Sequence, residues 1–338
     1  MPPGNLSPGP LFDLALSYRR SKALLTAVEL GLFSVLAMRP LDANELTARL
    51  DLHPRGACDF FDALVALGLL GRDDSGRYRN APAVDQFLDR AKSRYIGDVL
   101  HRASRRAYGN WNSLPIALRT GQPQSGAFGT DGYGALYEHD AALEEFLRAM
   151  SGSSLMFANG LAQRLDWSRY TRILDIGTAE GCVPVQLALS HPHLVGSGFD
   201  LPPVEPWFNR YVGRHGLSDR LRFHVGDFHC DPFPEADVVI LGRVLHNWNV
   251  STKKVLLGKA HAALPPGGIL VVGETLIDNA RRANADALLA SLHMLIETTG
   301  GHEATGADYA AWLEAVGFRD VRVQDLDCAQ SAVIGVKL

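Results

Sequence analysis

The spacing of apolar and polar positions changes along the chain, and each change marks a different architecture. From Leu11 to Met38 the spacing is helical, and Ala23 to Ala37 (ALLTAVELGLFSVLA) is apolar on nearly every side. A helix of that kind must be covered all round. In a small N-terminal domain the expected cover is a second copy of the chain, which predicts a homodimer. Asp42-Ala-Asn-Glu45 has capping-box spacing and opens a short helix ending near Asp51. His53-Pro54 starts another that runs to Leu67, and Arg72 to Arg79 reads as a hairpin with Ser75-Gly76 at its tip.

Helix, helix and hairpin form a winged-helix pattern, which raises the question of DNA. A groove-reading helix presents Arg, Lys, Asn or Gln. The candidate here carries Phe60, Phe61, Ala63, Leu64, Val65 and Leu67 beside two acids, Asp59 and Asp62. The pattern therefore reads as a scaffold for dimerisation rather than a nucleic-acid reader.

A helical connector is expected over Asp98 to Thr120, with Trp111, Leu114 and Ile116 packed and Pro115 kinking or restarting it. Gly121 to Gly134 reads as a loop and Leu136 to Leu165 as helix. That helix precedes the next domain, where it would roof a cleft with Met150 and Phe157. Beyond Trp167 strands alternate with helices: strands near 172–177, 194–200, 221–226, 236–242 and 268–275, then helices near 283–297 and 306–316. Two short strands, Val321–Leu326 and Ala332–Val336, follow as an antiparallel edge pair. The class is α/β, a doubly wound Rossmann-like sheet behind an N-terminal helical, winged-helix domain. The domains expected are 1–105, a connector over 106–165 that contributes to the substrate pocket, and 166–338.

The centre of the second domain is Thr171 to Asp200: a buried strand ending at Gly177, a helix opened by Gly181, and a second strand ending at Asp200. A carboxylate there is placed to accept the hydroxyls of a ribose. Dinucleotides need G-x-G-x-x-G, so that backbone closely approaches a pyrophosphate. Here the turn is Gly177-Thr178-Ala179-Glu180-Gly181. It lacks the middle glycine, and Glu180 would bring a carboxylate to where phosphates must lie. S-adenosylmethionine (SAM) has an adenosine but no phosphate, and suits this turn better than NAD does.

Composition narrows the class further. A net charge of −4 argues against a general nucleic-acid binder, and no apolar run reaches the length of a membrane span. Cys58, Cys182, Cys230 and Cys328 show no CxxC spacing, and the N-terminus lacks a secretion signal, so reduced thiols in a cytoplasm are expected. His229, Cys230 and Asp231 are metal-type residues without ligand spacing, and read as a surface turn with no metal.

Ligands of doubly wound sheets bind beyond the carboxyl ends of the strands. There the chain places Gly226-Asp227-Phe228, Arg243-Val-Leu-His246-Asn247-Trp248 and Gly273-Glu274-Thr275, with Gly300-Gly301-His302-Glu303 able to close over them. Asp227 is suited to the adenine amino group and Phe228 to its ring. His246 and Glu274 should converge on one crevice. The segments FDLP (Phe199–Pro202), GDF, LGRVLHNW, GET and GGHEAT, with W-x-x-L at Trp111, G-x-P at Gly121 and the closing Val316-Gly317-Phe318, resemble the SAM-dependent O-methyltransferases of the caffeate, isoflavone and acetylserotonin type. Bacterial relatives of that family tailor aromatic metabolites, antibiotics among them.

The resemblance implies His246 as general base flanked by Glu274 and Glu303. It also implies SAM held by Gly177, Gly181, Asp200, Leu201, Asp227, Phe228, Arg243 and Trp248, and S-adenosylhomocysteine (SAH) as product. A small aromatic substrate would meet Met150, Phe157, Asn247, His293 and Met294. Two positions depart from the family pattern: the turn GTAEG is poorer in glycine, and Asn247 stands where Asp is usual. The chemistry fits these roles, because a phenol of pKa ~10 is a poor nucleophile until a base takes its proton. Some relatives of the same architecture methylate carbon or nitrogen, which is the alternative reading.

Overall fold

The computed structural model describes residues 7–92, 94–125, 136 and 140–338; beyond Ser125 the loop expected over 121–134 lies outside them. The chain divides into two units, one ending at Gly109 and the other starting at Asn110.

In the first unit the long apolar stretch is broken into helices Gly9–Ala15, Tyr18–Glu29 and Leu32–Met38. The last break falls at Gly31, whose φ of +68° ends one helix and admits the next. Ala27, Val28, Leu32, Phe33 and Leu36 pack with Leu46, Phe61, Leu64 and Tyr78 in one core. The unit thus covers most of the faces that periodicity alone assigned to a second copy. What stays open lies at the ends of the stretch: Leu11, Phe12, Leu14 and Met38 are 72%, 62%, 74% and 79% exposed. The capping box forms, with the Glu45 N–H donating to Asp42 Oδ1 (2.9 Å) and the Asp42 N–H to Glu45 Oε2 (3.1 Å). Strands β1 (Leu70–Arg72) and β2 (Tyr78–Asn80) make the hairpin. No single helix among the described residues is long and apolar enough to cross a membrane.

The second unit begins with a tight turn at Trp111–Ser113, after which Pro115 restarts the helix Leu114–Thr120. The helix Asp140–Arg164 then leads into β3 (Arg172–Ile176), β4 (Val195–Asp200), β5 (Leu221–Val225), β6 (Val238–Gly242), β7 (Ile269–Glu274), β8 (Arg319–Asp325) and β9 (Ser331–Val336). They form one sheet in the order β5-β4-β3-β6-β7-β9-β8. The first five are parallel, while β9 runs antiparallel to both β7 and β8. Every strand lies within two residues of the bounds that the sequence suggested.

Their side chains alternate between two cores. Leu174, Ile176, Val239, Leu241, Leu270 and Val272 face one side, and Ile173, Val238, Ile240, Ile269 and Val271 the other. Burial on both faces is why these strands read as unbroken apolar runs. Phe157 belongs to the second core and not to the wall of the cavity beyond the strand ends. It is 1% exposed, and a Cβ on Gly273 would stand 2.2 Å from its ring, so that glycine is what lets the ring lie on β7. Phe157→Ala should therefore lower folding stability by about 3–5 kcal/mol, read as a fall in the chemical-denaturation midpoint with an unchanged slope.

Candidate active site

The glycine turn leaves β3 with three residues in the left-handed region: Gly177 (φ +67°), Ala179 (+51°) and Gly181 (+93°). The strained Ala179 has a purpose. Its N–H donates to Asp200 Oδ2 at 2.9 Å, and the Leu201 N–H donates to Oδ1 at 2.8 Å, so backbone on two sides orients the carboxylate that ends β4. Gly181 is needed for packing, because a Cβ there would lie 2.7 Å from the Phe208 ring, and it takes no part in the cavity wall.

Beyond the strand ends lies a cavity of about 250 Å³. Gly177, Asp200, Leu201, Asp227, Phe228, Arg243, Asn247 and Trp248 all line it, as the sequence suggested, and Met150 does so from the helix Asp140–Arg164. Glu180 is absent from the wall. The acid nearest the turn is Asp175 on β3, which lines the cavity and accepts from the Thr178 hydroxyl at 2.8 Å. Burial, with the Asp200 charge adding to it, pushes Asp175 up to about 7; burial pushes Asp200 up to about 6 against its two N–H donors. Three carboxylates in one small cavity oppose a pyrophosphate and suit a cation. Ser151 also lines it, with a buried hydroxyl that has no hydrogen-bond partner among the described residues. A ligand with polar groups would satisfy it.

At one end three rings meet edge to face. Trp248 stands 4.5 Å from His229 and 5.8 Å from Phe228, in a setting suited to a flat base. His229, read from sequence as part of a surface turn, lines this end. Its N–H donates to Asp227 Oδ1 at 2.8 Å, and Lys259 Nζ donates to the carbonyls of Phe228 (2.7 Å), His229 (3.0 Å) and Asp231 (2.9 Å), which fixes the loop.

His246 sits in the turn after β6, between Val244 and Asn247 of the cavity wall but buried and, like Glu274 and Glu303, not itself part of that wall, with Nδ1 2.7 Å from Glu274 Oε2 and 3.3 Å from Glu303 Oε1. Glu274 Oε1 accepts the N–H groups of Leu245 (2.9 Å) and His246 (3.2 Å). Burial works against the imidazolium, but the two carboxylates outweigh it and push His246 up to about 9. Burial raises Glu303, and the charge of His246 opposes that rise. The three residues that the sequence grouped are thus brought together. His293 and Met294 are not part of the cavity wall. The His293 ring stacks on Trp111 at 6.4 Å and 8°, one helical turn from the buried Glu297, which is held by Asn110 (2.9 Å) and Ser125 (2.8 Å).

Residues 111–319 match the O-methyltransferase domain and residues 12–90 the O-methyltransferase dimerisation domain. The chain belongs to the O-methyltransferase family. It is 41% identical to a tetracenomycin polyketide synthesis 8-O-methyl transferase, TcmO, of Streptomyces glaucescens, over 98% of this chain and 97% of that one. It is 40% identical to an N,N-dimethyltransferase, OxyT, of Streptomyces rimosus, over 94% and 92%. Among solved structures it is similar to human N-acetylserotonin methyltransferase in complex with SAM, with a TM-score of 0.91 and 28% identity over 100% and 99% of the two chains.

The chemistry of the cavity suits that cofactor: Asp200 could accept from a ribose, the Phe228 and Trp248 rings could flank an adenine, and the carboxylates near the turn could face a cationic end. Missed from sequence were Asp175, the single acid in β3, and Ser151. Because Asp175 and Asp200 take up protons as pH falls through about 7 and about 6, their attraction for a sulfonium is present above that window and lost below it. SAM affinity, measured by calorimetry, should drop about tenfold from pH 8 to pH 5.5, a loss of about one unit charge interaction, while SAH without the sulfonium loses less.

Proposed function

We propose that this enzyme methylates a hydroxyl of a small aromatic metabolite, with SAM as donor and His246 as general base. The observation that carries the reading is the orientation of His246. Both carboxylates are on Nδ1, and among the described residues no hydrogen bond occupies Nε2. With its Nδ1–H directed at Glu274, the neutral ring presents the Nε2 lone pair to a substrate proton. The bound cofactor supplies a methyl already activated on sulfur. The protein's part is to hold the acceptor in line, take its proton and exclude water. An imidazole near 9 is close in basicity to a phenolate of pKa ~10, so the proton moves with little uphill cost.

The division of labour we assign follows the chain. Residues 1–105 pair two copies, a role supported by the dimerisation-domain match and by the exposed Leu11, Phe12 and Leu14. Residues 106–165 cover the acceptor, supported by Met150, Ser151 and Ser154 in the cavity wall, and 166–338 hold the donor. Light scattering should give twice the chain mass of 36.7 kDa. A monomer would remove the pairing role.

His246→Asn should lower kcat for a phenol about 10²–10⁴-fold and leave SAM affinity unchanged. For the wild type, kcat/KM should climb as pH rises through about 9, since the base works only when deprotonated. Full activity in the variant would overturn the assignment. The likeness to OxyT supports one alternative, a nitrogen acceptor. An amine already carries a lone pair and would tolerate the loss of His246.

A further inference from the structure

Lys253, on the helix Val250–Ala263, is fully buried, which is rare for an ammonium and calls for a reason. Its Nζ donates to the His302 carbonyl oxygen at 2.8 Å and lies 3.3 Å from His302 Nε2. His302 Nδ1 faces the Gly300 carbonyl at 3.3 Å, so the ring donates there and accepts from the lysine at Nε2. The ammonium also stands 5.2 Å from the Trp312 ring centroid and 5.9 Å from that of Tyr309.

The segment so held carries Glu303, and it has little freedom of its own. The Gly301 N–H donates to Thr298 Oγ1 (2.9 Å), and a Cβ on Gly301 would lie 2.4 Å from the His246 carbonyl oxygen. Glu303 Oε2 is buried without a hydrogen-bond partner among the described residues, as is the Tyr309 hydroxyl.

We propose that Lys253 is a positioning residue: it clamps the Gly300–Glu303 segment through His302 and so fixes the Glu303 carboxylate beside His246. The charged and titratable groups around the pair are Glu274 on β7, Arg243 in the turn that carries His246, His302 and Glu303 in the clamped segment, and Asp308 and Tyr309 on the helix Gly306–Ala315. Burial lowers Lys253 to about 8 against the pull of Glu274, Glu303 and Asp308, and it lowers His302, with the lysine charge acting in the same direction. The inference rests on His246 acting as base.

The test uses full-length Lys253→Met, which removes the charge and keeps the apolar stem, with Lys253→Arg as the charge-retaining variant and Lys253→Gln in case the methionine variant misfolds. Loosening Glu303 removes part of the attraction that holds His246 up, so the acid limb of kcat/KM in Lys253→Met should move down by about half a pH unit, with plateau kcat down about tenfold and SAM affinity unchanged. Lys253→Arg should keep the wild-type limb. In a Glu303→Gln background, Lys253→Met should add little, because the residue it acts through is already neutral. A wild-type limb in Lys253→Met, or equal losses in both backgrounds, would overturn the proposal. The His246 imidazole titration by NMR separates this outcome from failure of the base reading. It should move downward in Lys253→Met even if His246→Asn shows that oxygen is not the acceptor.

Discussion

The Glu274 carboxylate joins the sheet to the chemistry. It ends β7 with no exposed surface and accepts from the backbone of Leu245, the backbone of His246 and the His246 ring. A buried carboxylate with fewer donors would be heavily penalised, and a turn after β6 with different backbone angles could not offer two N–H groups at once. Carboxylate and turn therefore require each other. Ring orientation and tautomer follow from that one contact, since Nδ1 must keep its proton toward Glu274. The Gly300–Glu303 segment is then seated directly on the His246 carbonyl, where only a glycine fits at 301.

The helix Val250–Ala263 works from the far side of the same region. Lys253 reaches the His302 carbonyl and, six positions on, Lys259 reaches three carbonyls of the Phe228–Asp231 loop. Both lysines serve as multi-donor caps for loops that have no regular ladder to satisfy their carbonyls. One helix thereby ties the Phe228–Asp231 loop and the segment carrying Glu303 to one frame, using the rigidity of its own backbone. Loops carrying function on a rigid frame are common, but here the frame holds them through ammonium groups rather than apolar packing.

The central strands β6 and β7 were legible because burial on both faces leaves them almost no polar positions, and the capping box because its two bonds are local. The His246, Glu274 and Glu303 grouping was legible for a topological reason: β6 and β7 are neighbours, so residues at their carboxyl ends must meet. Where reading failed, the cause was tertiary. Phe157 and Met150 sit on one helix seven residues apart. Periodicity cannot tell that one lies over Gly273 and the other over the cavity, because the difference resides in a glycine more than a hundred positions away. The apolar N-terminal stretch misled in a similar way. Gly31 divides it, and a divided helix can turn two faces toward its own core.

The turn GTAEG shows how the right preference can rest on the wrong atom. From sequence, Glu180 looked like the acid that would repel a phosphate, yet it stays out of the cavity wall. The acids in that wall are Asp175, two residues before Gly177, together with Asp200 and Asp227. Ala179 takes the left-handed conformation that a glycine would take without strain, and in exchange its N–H is turned onto Asp200. In a dinucleotide site the N–H groups of such a turn face a pyrophosphate. Here that donor is spent on a side chain of the protein itself, and the space next to it is walled by carboxylates. Selectivity for a cationic donor thus comes from where one backbone hydrogen points as much as from the missing glycine.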